Sequence, residues 1–119
     1  MKFKTILFFV SLMIFSSSSY AAGWLPGNKL VDMAKEWKIN FDGGTRGDHV
    51  GIRGYQMYIL GVLDVADGVL FCLPDSATGG QIFSVVYNYI NQHPEKWSDS
   101  AFDLVYVSLS DSFPCQKSR

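Results

Sequence analysis

An all-α fold is predicted for this chain: a compact bundle of about four helices closed by one disulfide. Three observations predict it. Apolar residues recur at a spacing near 3.6 rather than 2 along most of the chain. Capping residues and prolines cut that pattern into helix-sized pieces. Two cysteines, Cys72 and Cys115, fall just past the ends of two of the pieces.

The chain opens with a leader. Met1-Lys2-Phe3-Lys4 is basic, the run from Ile6 to Phe15 is apolar, and Ser16 to Ala22 is rich in small residues. That order is the pattern of a cleavable secretory signal peptide, with Ser19 and Ala21 as the small residues before the cut. Residues 1–21 are therefore expected to be removed. A spanning helix needs about 20 apolar residues, roughly twice this run. Residues 22–119 then form one domain with a single modest core. The chain holds 10 basic and 11 acidic residues; losing Lys2 and Lys4 leaves 8 against 11. This mild acidity argues against nucleic acid and anionic lipid, which attract basic surfaces, and suits a basic protein partner. An even cysteine count in a small exported chain reads as a disulfide, Cys72 to Cys115, with two buried thiols as the alternative. Closing that loop is worth about 4 kcal/mol on a chain-entropy argument.

The first helix is expected over about 29–38, capped by Asn28, with Leu30, Met33, Ala34 and Trp37 on one side. A Gly- and Asp-rich loop follows to Gly47. The second helix is expected over about 49–70, capped by Asp48, with Val50, Tyr55, Ile59, Val62, Leu63, Ala66 and Leu70 inward. Gly54, Gly61 and Gly68 recur every seven residues and would form a seam on one face. Glycine weakens a helix interior, so such a seam implies close approach of another backbone, within the chain or in a dimer.

After a turn holding Cys72 and Pro74, Thr78-Gly79-Gly80-Gln81 spells a capping box that starts the third helix. Ile82, Val85, Val86, Tyr89 and Ile90 form its buried stripe. Gln81, Ser84, Asn88, Asn91 and Gln92 point away, and Pro94 ends it. Ser98 is expected to cap the fourth helix, with Asp99 in its first turn, Phe102, Val105, Tyr106, Leu109 and Phe113 inward, and Pro114 as the stop. Phe102 to Leu109 also fits a strand, but its flanking signals favour helix.

Chemistry is hard to find. No catalytic, cofactor or metal set is expected. A Cys–His pair would leave one cysteine unpartnered in an oxidising compartment, and two isolated histidines with two distant cysteines do not make a metal site. Asp64 and Asp67 share a side of the second helix, though solvation is the ordinary reason for such a pair. Arg46-Gly47-Asp48 matches an adhesion tripeptide by chance, since Asp48 is needed as a cap. An exported helical domain of this kind is expected to bind rather than catalyse.

The ordered pieces Tyr58-Ile59-Leu60-Gly61-Val62-Leu63-Asp64, Cys72-Leu73-Pro74, Thr78-Gly79-Gly80-Gln81, His93-Pro94-Glu95 and Phe113-Pro114-Cys115 resemble the Tai/Rap family. These are periplasmic immunity proteins of bacterial type VI secretion systems. The resemblance implies a small helical protein, often dimeric, without catalytic residues. Its partner would be a secreted peptidoglycan amidase of the Cys/His type, whose substrate groove it blocks. The Cys72–Cys115 pair matches the family's pair. Relatives often carry a second cysteine pair where this chain has Trp37 and Tyr55, so aromatic packing would stand in for that staple.

A rigid protrusion that fills a groove suffices for such inhibition, with a wider surface to hold it. The protrusion is assigned to residues 93–99, with His93, Glu95, Lys96, Trp97 and Asp99, and the support to Ser84, Asn88 and Asn91. Trp97 either folds back on the core or stands out as a hot spot. The turn from Pro74 to Ala77 is the next candidate. Two other classes remain: a periplasmic chaperone or structural subunit with no amidase partner, and a small wall-active enzyme using Asp64 and Asp67.

Overall fold

In a computed structural model, residues 24–116 are described; the leader expected over residues 1–21 lies outside them. Four helices follow in order: α1 (Gly27–Phe41), α2 (His49–Ala66), α3 (Gly79–Gln92) and α4 (Ala101–Ser112), with a short 3₁₀ turn over Pro94–Lys96. The all-α expectation holds among these residues, and Phe102 to Leu109 is helix rather than strand. None of the helices is long and apolar enough to cross a membrane.

The core is where the inward stripes meet. Leu30, Ala34 and Trp37 of α1 pack with Tyr55, Ile59 and Val62 of α2, Val86 and Ile90 of α3, and Leu104, Val105 and Leu109 of α4. An aromatic cluster locks three of the helices. The Trp37 ring lies 4.8 Å from Phe41, 5.3 Å from Tyr55 and 6.1 Å from Phe83. Trp37 of α1 and Tyr55 of α2 therefore pack ring against ring across the two helices. The Tyr55 hydroxyl donates to the Phe83 carbonyl at 2.7 Å, so its buried polar end is satisfied. Burial pushes that phenol far above its ordinary value.

The helix ends differ from expectation in physically readable ways. Asp48 caps α2, accepting from the amides of Val50 and Gly51. Thr78 and Gln81 form the expected capping box of α3. Asn28 caps nothing: α1 begins earlier, behind Pro26, whose fixed φ sets up the first turn. Ser100, not Ser98, caps α4, accepting from the Asp103 amide at 3.1 Å. Asp103, not Asp99, is the acid in its first turn. Helix α2 stops at Ala66, short of Leu70. There Asp67 leaves helical geometry, Gly68 takes φ +81°, and Phe71 turns inward to full burial. The inward faces shift accordingly: Val50 and Leu70 are exposed, while Phe83, Ala101 and Leu104 are buried.

The glycine seam is corrected. Gly68 sits in the turn, outside the helix. A Cβ at Gly54 would come 2.5 Å from the Met33 sulfur, which is close packing of α1 on α2. A Cβ at Gly61 would meet nothing within 4 Å.

Cys72 and Cys115 are bonded, with Cα atoms 4.8 Å apart. The Cys72 amide donates to the Phe113 carbonyl at 2.8 Å, so a hydrogen bond runs beside the disulfide. Together they tie the end of α4 to the turn after α2.

Candidate functional site

Helix α3 delivers the chain to residues 93–99. Its last carbonyls need partners, and two side chains from the loop supply them. His93 Nδ1 lies 2.8 Å from the Tyr89 carbonyl, so that nitrogen carries the proton and donates. The His93 ring also stacks on Tyr89, with centroids 4.2 Å apart. The Trp97 indole donates to the Ile90 carbonyl at 2.8 Å. Lys35 of α1 lies over the Trp97 ring, its ammonium 4.9 Å from the centroid.

The backbone ties are as dense. Lys96 donates to His93, Trp97 to Pro94, and Asp99 to Lys96, which winds the loop into tight turns. Gly27 then donates to the Asp99 carbonyl at 2.9 Å, and Ala101 donates to Leu25 at 3.0 Å. A Cβ on Gly27 would collide with the Asp99 carbonyl and come 2.8 Å from that of Trp97. Only glycine lets the start of α1 lie this close to the loop.

Of the five loop residues expected to contact a partner, Glu95, Lys96 and Asp99 are exposed, whereas His93 and Trp97 are half-buried. Trp97 is thus folded back as a post beneath the loop, the plainer of its two readings. The exposed chemistry is two carboxylates and one ammonium, none of them in an ion pair among the described residues. The Tyr89 phenol is held above its ordinary value by partial burial first, then by the carboxylates of Asp111, Asp99 and Glu95. Those acids therefore share one region, at the junction of α3, the loop and α4.

Ser84, Asn88 and Asn91 follow at i, i+4 and i+7, one stripe of α3 about 10 Å long that leads toward the loop. Ser84 and Asn88 form a wall of a groove of about 610 Å³, closed on other sides by Phe41, Pro74, Ala77 and Phe113. Asn91 lies outside its lining. The groove contains no charged residue, and it brings the Pro74–Ala77 turn to the same surface as the polar stripe. A smaller hollow of about 210 Å³ adjoins it, with Asn88, Tyr89, Gln92 and Asp111 on its walls.

The two carboxylates expected on α2 have different surroundings. Asp64 stays on α2, but Asp67 accepts the Leu73 amide at 2.9 Å and shapes the turn. No three His, Cys, Asp or Glu side chains converge on a common point among the described residues.

Sequence reading missed Gly27, Lys35 and the groove. Gly27 follows Pro26 at a helix start, where nothing in the local pattern announces a contact 72 residues away. Lys35 reads as an ordinary solvated position on α1. The groove requires knowing that Phe41 and Phe113 come together, which is tertiary information.

A family model described as Rap1a immunity proteins matches residues 26–115. That span covers all four helices, the loop and both cysteines. No curated protein matches the chain. A match over so much of the chain, on a helical fold with the expected disulfide, is decisive: the chain belongs to the Rap1a immunity protein family.

Proposed function

We propose that this chain is a periplasmic immunity protein that binds a cognate type VI secreted peptidoglycan amidase and occludes its active-site groove. The family match over residues 26–115 carries the reading, because an immunity protein acts by binding a secreted effector. The rest of the proposal rests on the loop and on the residues quoted for the resemblance. The leader would carry the chain to the compartment where the amidase cuts. The protein would associate with a second copy of itself, and its action would need no chemistry of its own.

The loop supports occlusion because its ordering cost is already met. A flexible loop loses conformational entropy on binding, and this one is fixed by His93, Trp97 and Gly27 before any partner arrives. Glu95, Lys96 and Asp99 are left outward to read the partner. The Ser84–Asn88–Asn91 stripe and the adjoining groove offer neutral hydrogen-bonding surface beside them. An acidic domain also suits a basic partner, since opposite potentials speed encounter.

Periplasmic intoxication tests this. On this reading the gene should adjoin one for a secreted Cys/His hydrolase, and that hydrolase is directed to the periplasm of a test strain, with and without the chain. Rescue by the full chain, lost when residues 2–21 are deleted, is the expected result. Lysis that proceeds equally in both strains would overturn the proposal.

A further inference from the structure

The groove beside α3 has two kinds of wall and no charge. Phe41, the last residue of α1, and Phe113, just past α4, supply phenyl rings. Gln81, Ser84 and Asn88 of α3 supply two amides and a hydroxyl, with Val85 between them. Its volume of about 610 Å³ is in the usual range for sites that take small molecules. Phe41 is 54% exposed, so its ring is open to a ligand.

The polar groups are available. Gln81 spends its side-chain oxygen on the Thr78 amide and hydroxyl, at 2.9 and 3.3 Å, and keeps its NH2 group to donate. Asn88 is exposed and brings both acceptor and donors. Nearby charges lie elsewhere. Lys38, over the Phe41 ring, pairs with Asp42 at 2.7 Å, and Asp75 of the Pro74–Ala77 turn is outside the lining. An ion would lose water here without meeting a countercharge. A purely apolar ligand would strip water from the amides and return no hydrogen bond. The walls are also fixed in advance. Phe41 stacks on Trp37, and the disulfide with the Cys72–Phe113 hydrogen bond holds Phe113 against the turn. Little ordering cost is left to a ligand.

We propose that this groove binds a neutral N-acetylated saccharide of one or two rings. A pyranose has C–H faces that lie on phenyl rings and hydroxyls around its edge that meet Ser84 and Asn88. An acetamido group carries one donor and one acceptor, the complement of a side-chain amide, and its methyl suits the Val85 wall. An extended peptide fits less well. Such peptides gain main-chain hydrogen bonds from a sheet edge, and the described residues form no strand. This site goes beyond the immunity reading and does not rest on it, and residues 93–99 take no part.

The full chain, exported, isotopically labelled and purified from periplasm, is titrated with N,N′-diacetylchitobiose and followed by NMR. Saturable shifts are expected at the Asn88 side-chain amide and along α3, with none at residues 95–99. Cellobiose, which has hydroxyls in place of the acetamido groups, should bind at least roughly tenfold more weakly. Asn88→Ala should weaken chitobiose binding by roughly tenfold and leave the circular dichroism spectrum unchanged, since that side chain is exposed. Gly80→Leu should abolish binding. Its Cβ would lie 3.9 Å from the Phe41 ring, so the rest of the side chain grows into the groove. Shifts that rise without saturating, or that map away from the groove, would overturn the proposal. So would equal affinity for cellobiose, or an Asn88→Ala chain that binds as tightly as the parent. A neutral proline-rich peptide that shifts the groove while the saccharide does not would give the site to a peptide instead.

Discussion

The end of the molecule around residues 93–99 and the outer face of α2 are built on opposite plans. At the loop, the backbone and the two half-buried rings are tied down, and only Glu95, Lys96 and Asp99 are left outward. His93 and Trp97 reach back to carbonyls of α3, Gly27 and Ala101 stitch the loop to the start of α1, and Lys35 covers the indole. On α2, the outward apolar side chains Val50, Met57 and Val65 are largely exposed, and Arg53 and Asp64 lack ion-pair partners among the described residues. The contrast teaches that rigidity and stickiness are separated in this fold. The loop is held in shape by its own ties and presents charge; the helix face presents exposed apolar area.

The comparison can be broken at several points. The staple comes first. Replacing Cys72 and Cys115 together by Ser should lower unfolding free energy by about 4 kcal/mol, measured by urea denaturation under non-reducing conditions. The loop's ties lie elsewhere, so the fraction still folded should keep its effector affinity. Trp97→Ala comes next. It removes the indole bond and the ring beneath Lys35, and should cost about 2 kcal/mol, while Met57→Ser on α2 should leave stability within about 0.5 kcal/mol. Equal losses at both sites would erase the distinction drawn between the two regions.

Gly27→Ala sharpens the loop's side of the contrast. The added methyl must displace the Asp99 and Trp97 carbonyls, at a cost of about 2 kcal/mol. Hydrogen exchange should show faster exchange at the Ala101 amide, whose partner is Leu25, than in the parent chain.

Tyr55 gives a smaller, pH-dependent effect. Its phenol is raised in the folded state, so the neutral form is the one that fits the core. Stability from this group is present below the unfolded value near 10 and declines as pH rises above it. Melting curves between pH 9 and about 11 should show that decline, and Tyr55→Phe should flatten it. The variant should also cost about 1 kcal/mol near neutrality, because the Phe83 carbonyl loses its donor.

Sequence made much of this architecture legible, and the reasons are local. Asp48 and the Thr78–Gln81 box sit immediately before apolar helical stripes, so the starts of α2 and α3 follow from short-range rules. The disulfide follows from an even cysteine count and two adjacent helix ends. Ser100 was equally readable, with Asp103 three residues on, but Ser98 offers the same residue type two positions earlier. The end of α2 was obscured because Val69 and Leu70 continue the apolar pattern; burial of Phe71 and the positive φ at Gly68 decide the turn.

The candidate site was legible as a loop and a stripe, from Pro94 and the polar spacing on α3. Its rigidity was not, because that depends on α1. Trp97 shows the limit most plainly. A tryptophan beside Glu95 and Lys96 reads first as folded back on the core and second as an exposed hot spot, and the hydrogen bond to Ile90 decides for the first. The glycine spacing misled for a related reason: seven-residue recurrence is a helix signal only while the helix lasts.

The most direct test of the central claim is inhibition in solution. The peptidoglycan amidase proposed as its partner is assayed on purified cell-wall stem peptide while the chain is titrated in, alongside a Glu95→Lys, Asp99→Lys double variant. The account predicts that the parent chain stops hydrolysis near equimolar ratio, and that the double variant, equally folded, needs at least roughly tenfold more. Undiminished hydrolysis at large excess of the parent chain would contradict it, and equal potency of the variant would remove the loop from the inhibitory surface.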